Sequence, residues 1–402
     1  MTKYNLKTSF RLALISLLFF SCQANAPKAD APVAVLPTDA KPVKAFGATP
    51  PPPNYNLIIK SDKKKQSDLD LPFRGFEPDK QITSIATGSC ADQDQPQPIW
   101  KTIESNNPNL FIFSGDTLYA SSPTQKPISE QYRKLKLIPE YRSIREKVPF
   151  MAIWDDHDFG INDGGSTNPE KEVARTEFLK QWSYLKFSLP PKQKALYHSK
   201  IFGSKKQKVQ IIMLDTRWDR SDLTKNPDDK YDPNSKESNN FPRPYIADTD
   251  KTKHFLSQEQ WAWLEHELKQ PAELRLLVSS IQVIPDDHNF EKWGNFPNEK
   301  EKLLALIQKT KAKNLIILSG DRHMASIART DIKKTGPIYE MTSSGLNKPT
   351  KPGNIISDKT YLADGYGPVN FGLILINWDK RIATLQVKSL ENEVKSSVEV
   401  KF

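Results

Sequence analysis

Three stretches of this sequence end alike: an apolar run stops and acidic side chains follow at once, twice with a histidine. Asp116 comes after Phe-Ile-Phe-Ser-Gly, the cluster Asp155-Asp156-His157-Asp158 after Met-Ala-Ile-Trp, and Asp321 with His323 after Ile-Ile-Leu-Ser-Gly. Short continuous apolar runs read as buried strands. In open α/β sheets the carboxyl ends of strands are where ligands bind. If the three strands are neighbours, several carboxylates and two imidazoles converge on one volume. Negative charge packed that closely is tolerable only with cations, so bound metal ions are expected. Oxygen ligands with some imidazole suit Ca²⁺, Mn²⁺, iron or zinc. A single Gly-Asp after a strand would read as a turn. Asp321-x-His323 is more specific, because alternate residues just past a strand aim at one centre.

The elements that must carry these tips alternate. Strands are expected at 82–86, 110–114, 148–154, 195–202, 209–214, 274–283 and 315–318. Helices are expected at 99–104 and 170–185, after the capping pair Ser257 and Gln260, and after a cap at Asn298. Three antiparallel strands close the chain, around 372–378, 382–387 and 396–400. Alternation followed by a meander predicts an α/β fold in layers rather than a simple doubly wound sheet. The polar stretch 219–253 has turn chemistry throughout and reads as a lid or a mobile loop.

Bulk composition sets the remaining bounds. Of 402 residues only 37% are hydrophobic and 31 are proline, which fits a compact domain with a polar, proline-bearing extension. A net charge of +10 draws the chain towards anionic partners without choosing among them. Two cysteines, Cys22 and Cys90, exclude a disulfide framework. Lys3, Lys7 and Arg11 precede an apolar run at 12–20 that is too short to span a bilayer and ends at Ser21-Cys22. Residues 1–22 therefore read as a signal peptide with a lipobox, Cys22 being lipidated; plain cleavage after Ala26 is the alternative. Gln23 then favours an exported protein anchored in the outer membrane. Residues 23–78, rich in Pro, Ala and Lys, read as a tether, and 79–402 as the folded domain. No interleaving of aromatic and basic residues marks single-strand binding, so nucleic acid is expected only as a substrate, and a monomer is expected.

Ser-Gly-Asp-Thr-Leu-Tyr at 114–119, Trp-Asp-Asp-His-Asp at 154–158 with Asn162 downstream, Leu-Asp-Thr-Arg at 214–217 and Ser-Gly-Asp-Arg-His at 319–323 occur together, in order, over nearly all of 80–402. In these motifs the chain resembles the alkaline phosphatase D (PhoD-like) metallophosphatases. The resemblance implies a four-layer αββα metallophosphoesterase sandwich, two or more metal ions, and hydrolysis of phosphate esters. It also implies that Asp116 bridges metals and that Tyr119 ligates Fe³⁺ as a phenolate. Asn162, Asp321 and His323 would hold the neighbouring ion, Ca²⁺ in this family. Many relatives carry Asp where this chain has Cys90, in the Gly-Ser-Cys variant of one branch. A thiolate there is a ligand for iron. A small buried thiol under the site is the alternative, with Asp92 as a spare carboxylate.

The reaction needs a nucleophilic water, neutralisation of phosphoryl oxygens and help for the leaving group. His157 is the candidate to orient phosphate or protonate the leaving group, unless it only steadies a ligand. Asp156 ligates or buttresses, and Asp155 caps its strand. Arg217 forks onto phosphate oxygens or pairs with Asp215. His198, His254, His266 and His288 lack ligand spacing. Competing functions are a non-catalytic surface lipoprotein that binds a ligand or partner, and an extracellular nuclease.

Overall fold

A computed structural model of the protein describes residues 73–120, 127–229, 244–288, 290–333, 335–350 and 355–402. The expected signal peptide, Cys22 and the expected tether as far as residue 72 lie outside the described residues. Alternate positions of the apolar runs point to opposite faces of a strand, and two sheets form because both faces need covering. The first sheet holds β1 (Ser84–Gly88), β2 (Leu110–Ser114) and β3 (Phe150–Ile153) in parallel. The second holds β4 (His198–Phe202), β5 (Val209–Met213), β6 (Leu274–Val278), β7 (Leu315–Ser319), β8 (Ala325–Ile332) and β9 (Gly336–Ser343). The closing meander β10 (Asn370–Asn377), β11 (Ile382–Ser389) and β12 (Val394–Lys401) joins the first sheet, with β10 antiparallel to β1. The orders are β12-β11-β10-β1-β2-β3 and β4-β5-β6-β7-β9-β8. In the second sheet β5, β6, β7 and β9 are parallel, flanked by antiparallel β4 and β8.

Helices cover the outer faces. On the first sheet lie α1 (Ile99–Ser105), α2 (Ile128–Lys136), α3 (Pro139–Lys147), α4 (Asp156–Phe159), α5 (Lys171–Gln181) and α6 (Leu185–Ser188). Trp100 of α1 stacks edge-on to Phe111 of β2 at 5.2 Å and meets Phe113 at 5.9 Å. On the second sheet, α7 (Gln258–Leu268) and α8 (Pro297–Thr310) pack Leu264 and Leu303 with Ile212, Leu277 and Ile317, while the alternate residues Ile211, Leu276 and Ile316 join the core between the sheets. The result is a helix–sheet–sheet–helix sandwich, the architecture expected.

The three acid-tipped strands are not all neighbours. β2 and β3 pair, but β7 stands in the opposite sheet. Convergence survives because the parallel strands of both sheets end at the same edge. There the sheets nearly touch: a Cβ on Gly320 would lie 2.5 Å from Ser89 Oγ and 2.7 Å from the Ser114 carbonyl oxygen.

Several expected boundaries move. The strand expected at 274–283 ends at Val278, and the helix expected at 170–185 breaks after Gln181. Asn298 is no cap, since α8 begins at Pro297, whose missing N–H costs nothing at the first position. Ser257 does cap α7, accepting from the Gln260 N–H at 3.3 Å, but the Gln260 side chain turns to Asp215 instead of completing the box. α2, α3 and the β8–β9 hairpin are additional, drawn from mixed polar sequence with no clean apolar period. Ordered packing also begins before residue 79: the Phe76 ring meets Tyr184 at 5.2 Å and Phe202 at 5.8 Å.

Candidate metal centre

Each side chain of the centre is delivered by the turn that ends a strand. β1 runs into Cys90, β2 into Asp116, β3 into Asp155, Asp156 and His157, and β7 into Asp321 and His323. Four of these residues take left-handed backbone, with φ of 62° at Cys90, 50° at Asp116, 68° at Asp321 and 55° at His323. Such conformations are strained for residues with a side chain and collect at functional sites, where the surrounding structure enforces them. Gly115, at φ 104°, has room for nothing larger: a Cβ would stand 2.5 Å from Asp155 Cβ.

The ligand atoms fall into overlapping groups within 4.8 Å of one another: Cys90, Asp116 and His323; Asp116, Asp156 and His157; Asp155, Asp156 and Asp321. Tyr119 joins the first group, its hydroxyl 3.2 Å from Asp116 Oδ2 and 2.9 Å from His323 Nε2. Cys90 Sγ lies 3.4 Å from Asp116 Oδ2 and 3.1 Å from Ser344 Oγ. The His157 ring packs on Tyr119 at 4.1 Å, and its peptide N–H donates to Asp116 Oδ1 at 3.3 Å.

Electrostatics identify what the groups lack. Burial pushes Asp116 well above the ordinary carboxyl range, and Cys90, Asp156 and Asp155 push it further. Asp321 is raised for the same reason, first by burial and then by Asp155 and Asp156. Asp155 rises to about 8 because burial outweighs the attraction of Arg217. Asp156 moves the other way, to about 2: burial opposes it, but His157, Arg217 and the Asp163 N–H prevail. Burial raises the Cys90 thiol to about 11 and lowers His323 to about 3. Asp155 Oδ2 and Asp156 Oδ1 are buried acceptors without a hydrogen-bond partner among the described residues. Orphaned buried oxygens are costly and require an explanation. A donor set of thiol, phenol, imidazole and carboxylates with spare lone pairs fits metal cations.

A family model described as PhoD-like phosphatase matches residues 85–365. The chain belongs to this family. As a PhoD-like phosphatase it is a phosphoric ester hydrolase with a phosphate ester for substrate. A solved structure of PhoD aligns over 82% of this chain and 70% of that one, with TM-score 0.58 and 18% identity. Purple acid phosphatase PPD1 from yellow lupin (Lupinus luteus) seeds aligns over 81% of this chain and 55% of that one, with TM-score 0.53 and 13% identity. Both likenesses speak for the fold, a metallophosphoesterase sandwich. No curated protein matches the sequence.

Within this PhoD-like phosphatase, seven of the residues singled out from sequence come together: Cys90, Asp116, Tyr119, Asp156, His157, Asp321 and His323. His323 groups with Cys90, Asp116 and Tyr119 rather than with Asp321. Asn162 is exposed and its amide donates to Asp163 at 2.8 Å. The Arg217 guanidinium forks onto Glu291. It is buried, with Nε 2.6 Å from Asp155 Oδ1 and its two terminal nitrogens 2.8 and 2.6 Å from the Glu291 oxygens. The guanidinium does not pair with Asp215, which instead takes the Arg217 peptide N–H at 2.9 Å. Asp155 holds Arg217 and Ser280 through Oδ1 and also belongs to the carboxylate group with Asp156 and Asp321. Asp92 lies outside the candidate ligand groups, with Oδ2 facing Lys348 at 3.3 Å. Sequence reasoning missed Glu291, Asp163, Ser344 and Lys348, all on loops without strand periodicity.

Proposed function

We propose that the protein is a metal-dependent phosphoester hydrolase of the alkaline phosphatase D type, in which Asp116, common to two of the candidate ligand groups, would help hold the metal ions. Cys90, Tyr119 and His323 would hold an ion that accepts sulfur, phenolate and imidazole, and Fe³⁺ fits that set. Asp155, Asp156 and Asp321 offer only hard oxygens, which favours Ca²⁺ beside it. When bound, such ions lower the pKa of a water and neutralise phosphoryl oxygens.

The chain's own groups do the rest. The reaction adds water to phosphorus, breaks the ester P–O bond and releases the alcohol with a proton. Burial holds the pKa of His157 below that of a free imidazole, so the ring is neutral at pH 7 and above. In that state His157 orients a phosphoryl or leaving oxygen by hydrogen bonding and does not act as a standing acid. Arg217 fixes Asp155 and the 291 loop, which holds the β3 turn and hence Asp156 and His157 in place.

The N-terminal pattern supports export and anchoring through a lipid on Cys22, with the enzyme acting outside the cytoplasm at the outer membrane. Globomycin sensitivity of processing and a labelled fatty acid on wild type but not Cys22→Ala would test this.

The shared position of Asp116 carries the catalytic reading. Purified full-length protein should hydrolyse p-nitrophenyl phosphate or its bis ester, with metal found by elemental analysis. Asp116→Asn should lower turnover by at least about 100-fold while thermal unfolding stays cooperative. Full activity in a chelator-stripped protein free of metal would overturn it.

A further inference from the structure

Esters entering this site carry negative charge into a wall of carboxylates, so the cations near it matter. Arg217 and Arg220 are buried and taken by Glu291, whose oxygens lie 2.6 and 2.8 Å from them. Lys292 is buried with Nζ on the His288 carbonyl oxygen. Arg322 lies over the Phe290 ring at 4.2 Å. Lys348, in the loop after β9, also stacks on a ring, but on one that belongs to the centre itself. Its Nζ sits 3.6 Å from the centre of the Tyr119 ring, and its side chain is 37% exposed. Tyr119 in turn touches Asp116, His323 and His157. A long side chain ending there reaches the mouth of the metal centre.

Its present partner is Asp92 Oδ2 at 3.3 Å. It is a single contact at the surface side of the loop, with the lysine 37% and the aspartate 17% exposed. Lys348 is not needed to hold the two loops together. The Asp92 N–H donates to Asn347 Oδ1 at 2.7 Å and the Asn347 amide returns to the Asp92 carbonyl at 2.8 Å, so the neighbouring residue already clamps them. The ammonium is therefore available to a ligand.

We propose that Lys348 determines specificity at this site by receiving the second negative charge of a phosphomonoester dianion. This rests on the phosphoester reading above and deepens it. Above its second ionisation, near about pH 6, a monoester carries two charges. A diester carries one and presents a second organic group where the lysine would approach. A cation at the mouth thus favours the monoester. Being compact and strongly hydrated, an ammonium on a flexible stem suits a phosphoryl group that must come and go.

The test compares wild type, Lys348→Gln and Lys348→Arg as full-length, metal-loaded protein at about pH 8, with p-nitrophenyl phosphate and bis(p-nitrophenyl) phosphate, and titrates inorganic phosphate by calorimetry. Losing a charge-assisted hydrogen bond predicts a fall of about 10–100-fold in monoester kcat/KM for Lys348→Gln, mainly through KM. Phosphate affinity should fall in parallel, the diester should change by less than about 3-fold, and Lys348→Arg should restore most of the loss. Equal losses on both esters would make Lys348 a loop clamp and overturn the assignment. If wild type hydrolyses neither ester, the phosphoester reading fails, and the phosphate titration still decides for Lys348. Unchanged phosphate affinity in Lys348→Gln would overturn it.

Discussion

Arg217 and Glu291 meet in a buried fork, Nη1 to Oε1 at 2.8 Å and Nη2 to Oε2 at 2.6 Å, while Arg217 Nε reaches Asp155 at 2.6 Å. One guanidinium thus ties together two acids from different loops. Breaking a buried pair by removing one partner leaves uncompensated charge, which costs about 3–5 kcal/mol. Arg217→Met should destabilise the protein by roughly that amount in denaturant unfolding. Arg217→Lys should restore little, since an ammonium cannot serve both acids in the plane of the fork. If Arg217 instead gripped substrate, Arg217→Met would keep wild-type stability and lose phosphate affinity.

Buried carboxyl groups in and behind the centre make the metal-free protein lose stability as pH rises. Burial raises Asp155 to about 8, Asp158 to about 7 and Asp163 to about 7. A carboxyl raised in the folded state keeps its proton there while the unfolded chain loses it near about pH 4. Its stabilisation is complete below that pH and drains away as pH climbs towards about 8. Chelated protein should therefore lose melting temperature steadily from about pH 5 to 8, the reverse of ordinary acid unfolding. Adding metal back should flatten the curve. A chelated protein whose stability rises over that range would contradict the arrangement.

His198, buried between β4 and the first sheet, sets the opposite trend. Its Nδ1–H donates to the Leu196 carbonyl at 2.8 Å, and Nε2 accepts from Tyr184 Oη at 3.1 Å, which also takes the Ala152 N–H of β3 at 2.9 Å. The imidazole thereby links β4 to the other sheet. Burial lowers its pKa from about 6.5 to about 4. Because the unfolded chain binds the proton first, stability is full above about pH 6.5 and falls as pH drops to about 4, by about 3 kcal/mol in all. Metal-saturated protein should follow that slope and His198→Gln should remove it. Parallel curves for the two would show that the ring is not the titrating group.

The site was legible where a strand announced it. Cys90, Asp116, Asp156, His157, Asp321 and His323 each follow an apolar run, and the period of the strand fixes where its end must lie. What the runs did not reveal was pairing: nothing in Ile-Ile-Leu-Ser-Gly says that β7 faces β2 across the sandwich instead of lying beside it. Arg217 stood out by type, but its partner Glu291 comes 74 residues later on a loop without a pattern. Lys348 was hidden for the same reason. The β8–β9 hairpin went unread because Ala-Ser-Ile-Ala-Arg-Thr-Asp-Ile and Gly-Pro-Ile-Tyr-Glu-Met-Thr-Ser mix polar and apolar residues at positions that tertiary packing, not alternation, decides.

That cross-sheet convergence has its own test at Gly320. Its peptide N–H donates to the Ser280 carbonyl at 2.9 Å, tying the end of β7 to β6. A methyl group there would press on Ser89 Oγ at 2.5 Å and on the Ser114 carbonyl oxygen at 2.7 Å. Ser89 can rotate, but Ser114 is backbone at the end of β2, two residues before Asp116. The clash can be relieved only by parting the sheets at the edge where Cys90 and Asp116 meet Asp321 and His323. Overpacking of this kind costs about 1–3 kcal/mol. Gly320→Ala should therefore lose that much stability and much more activity, because a misplacement of about 1 Å in a catalytic group costs about 100-fold. Metal content should fall with it. A Gly320→Ala protein with wild-type metal content and turnover would mean that the two sheets are not held to their present spacing by the site they share.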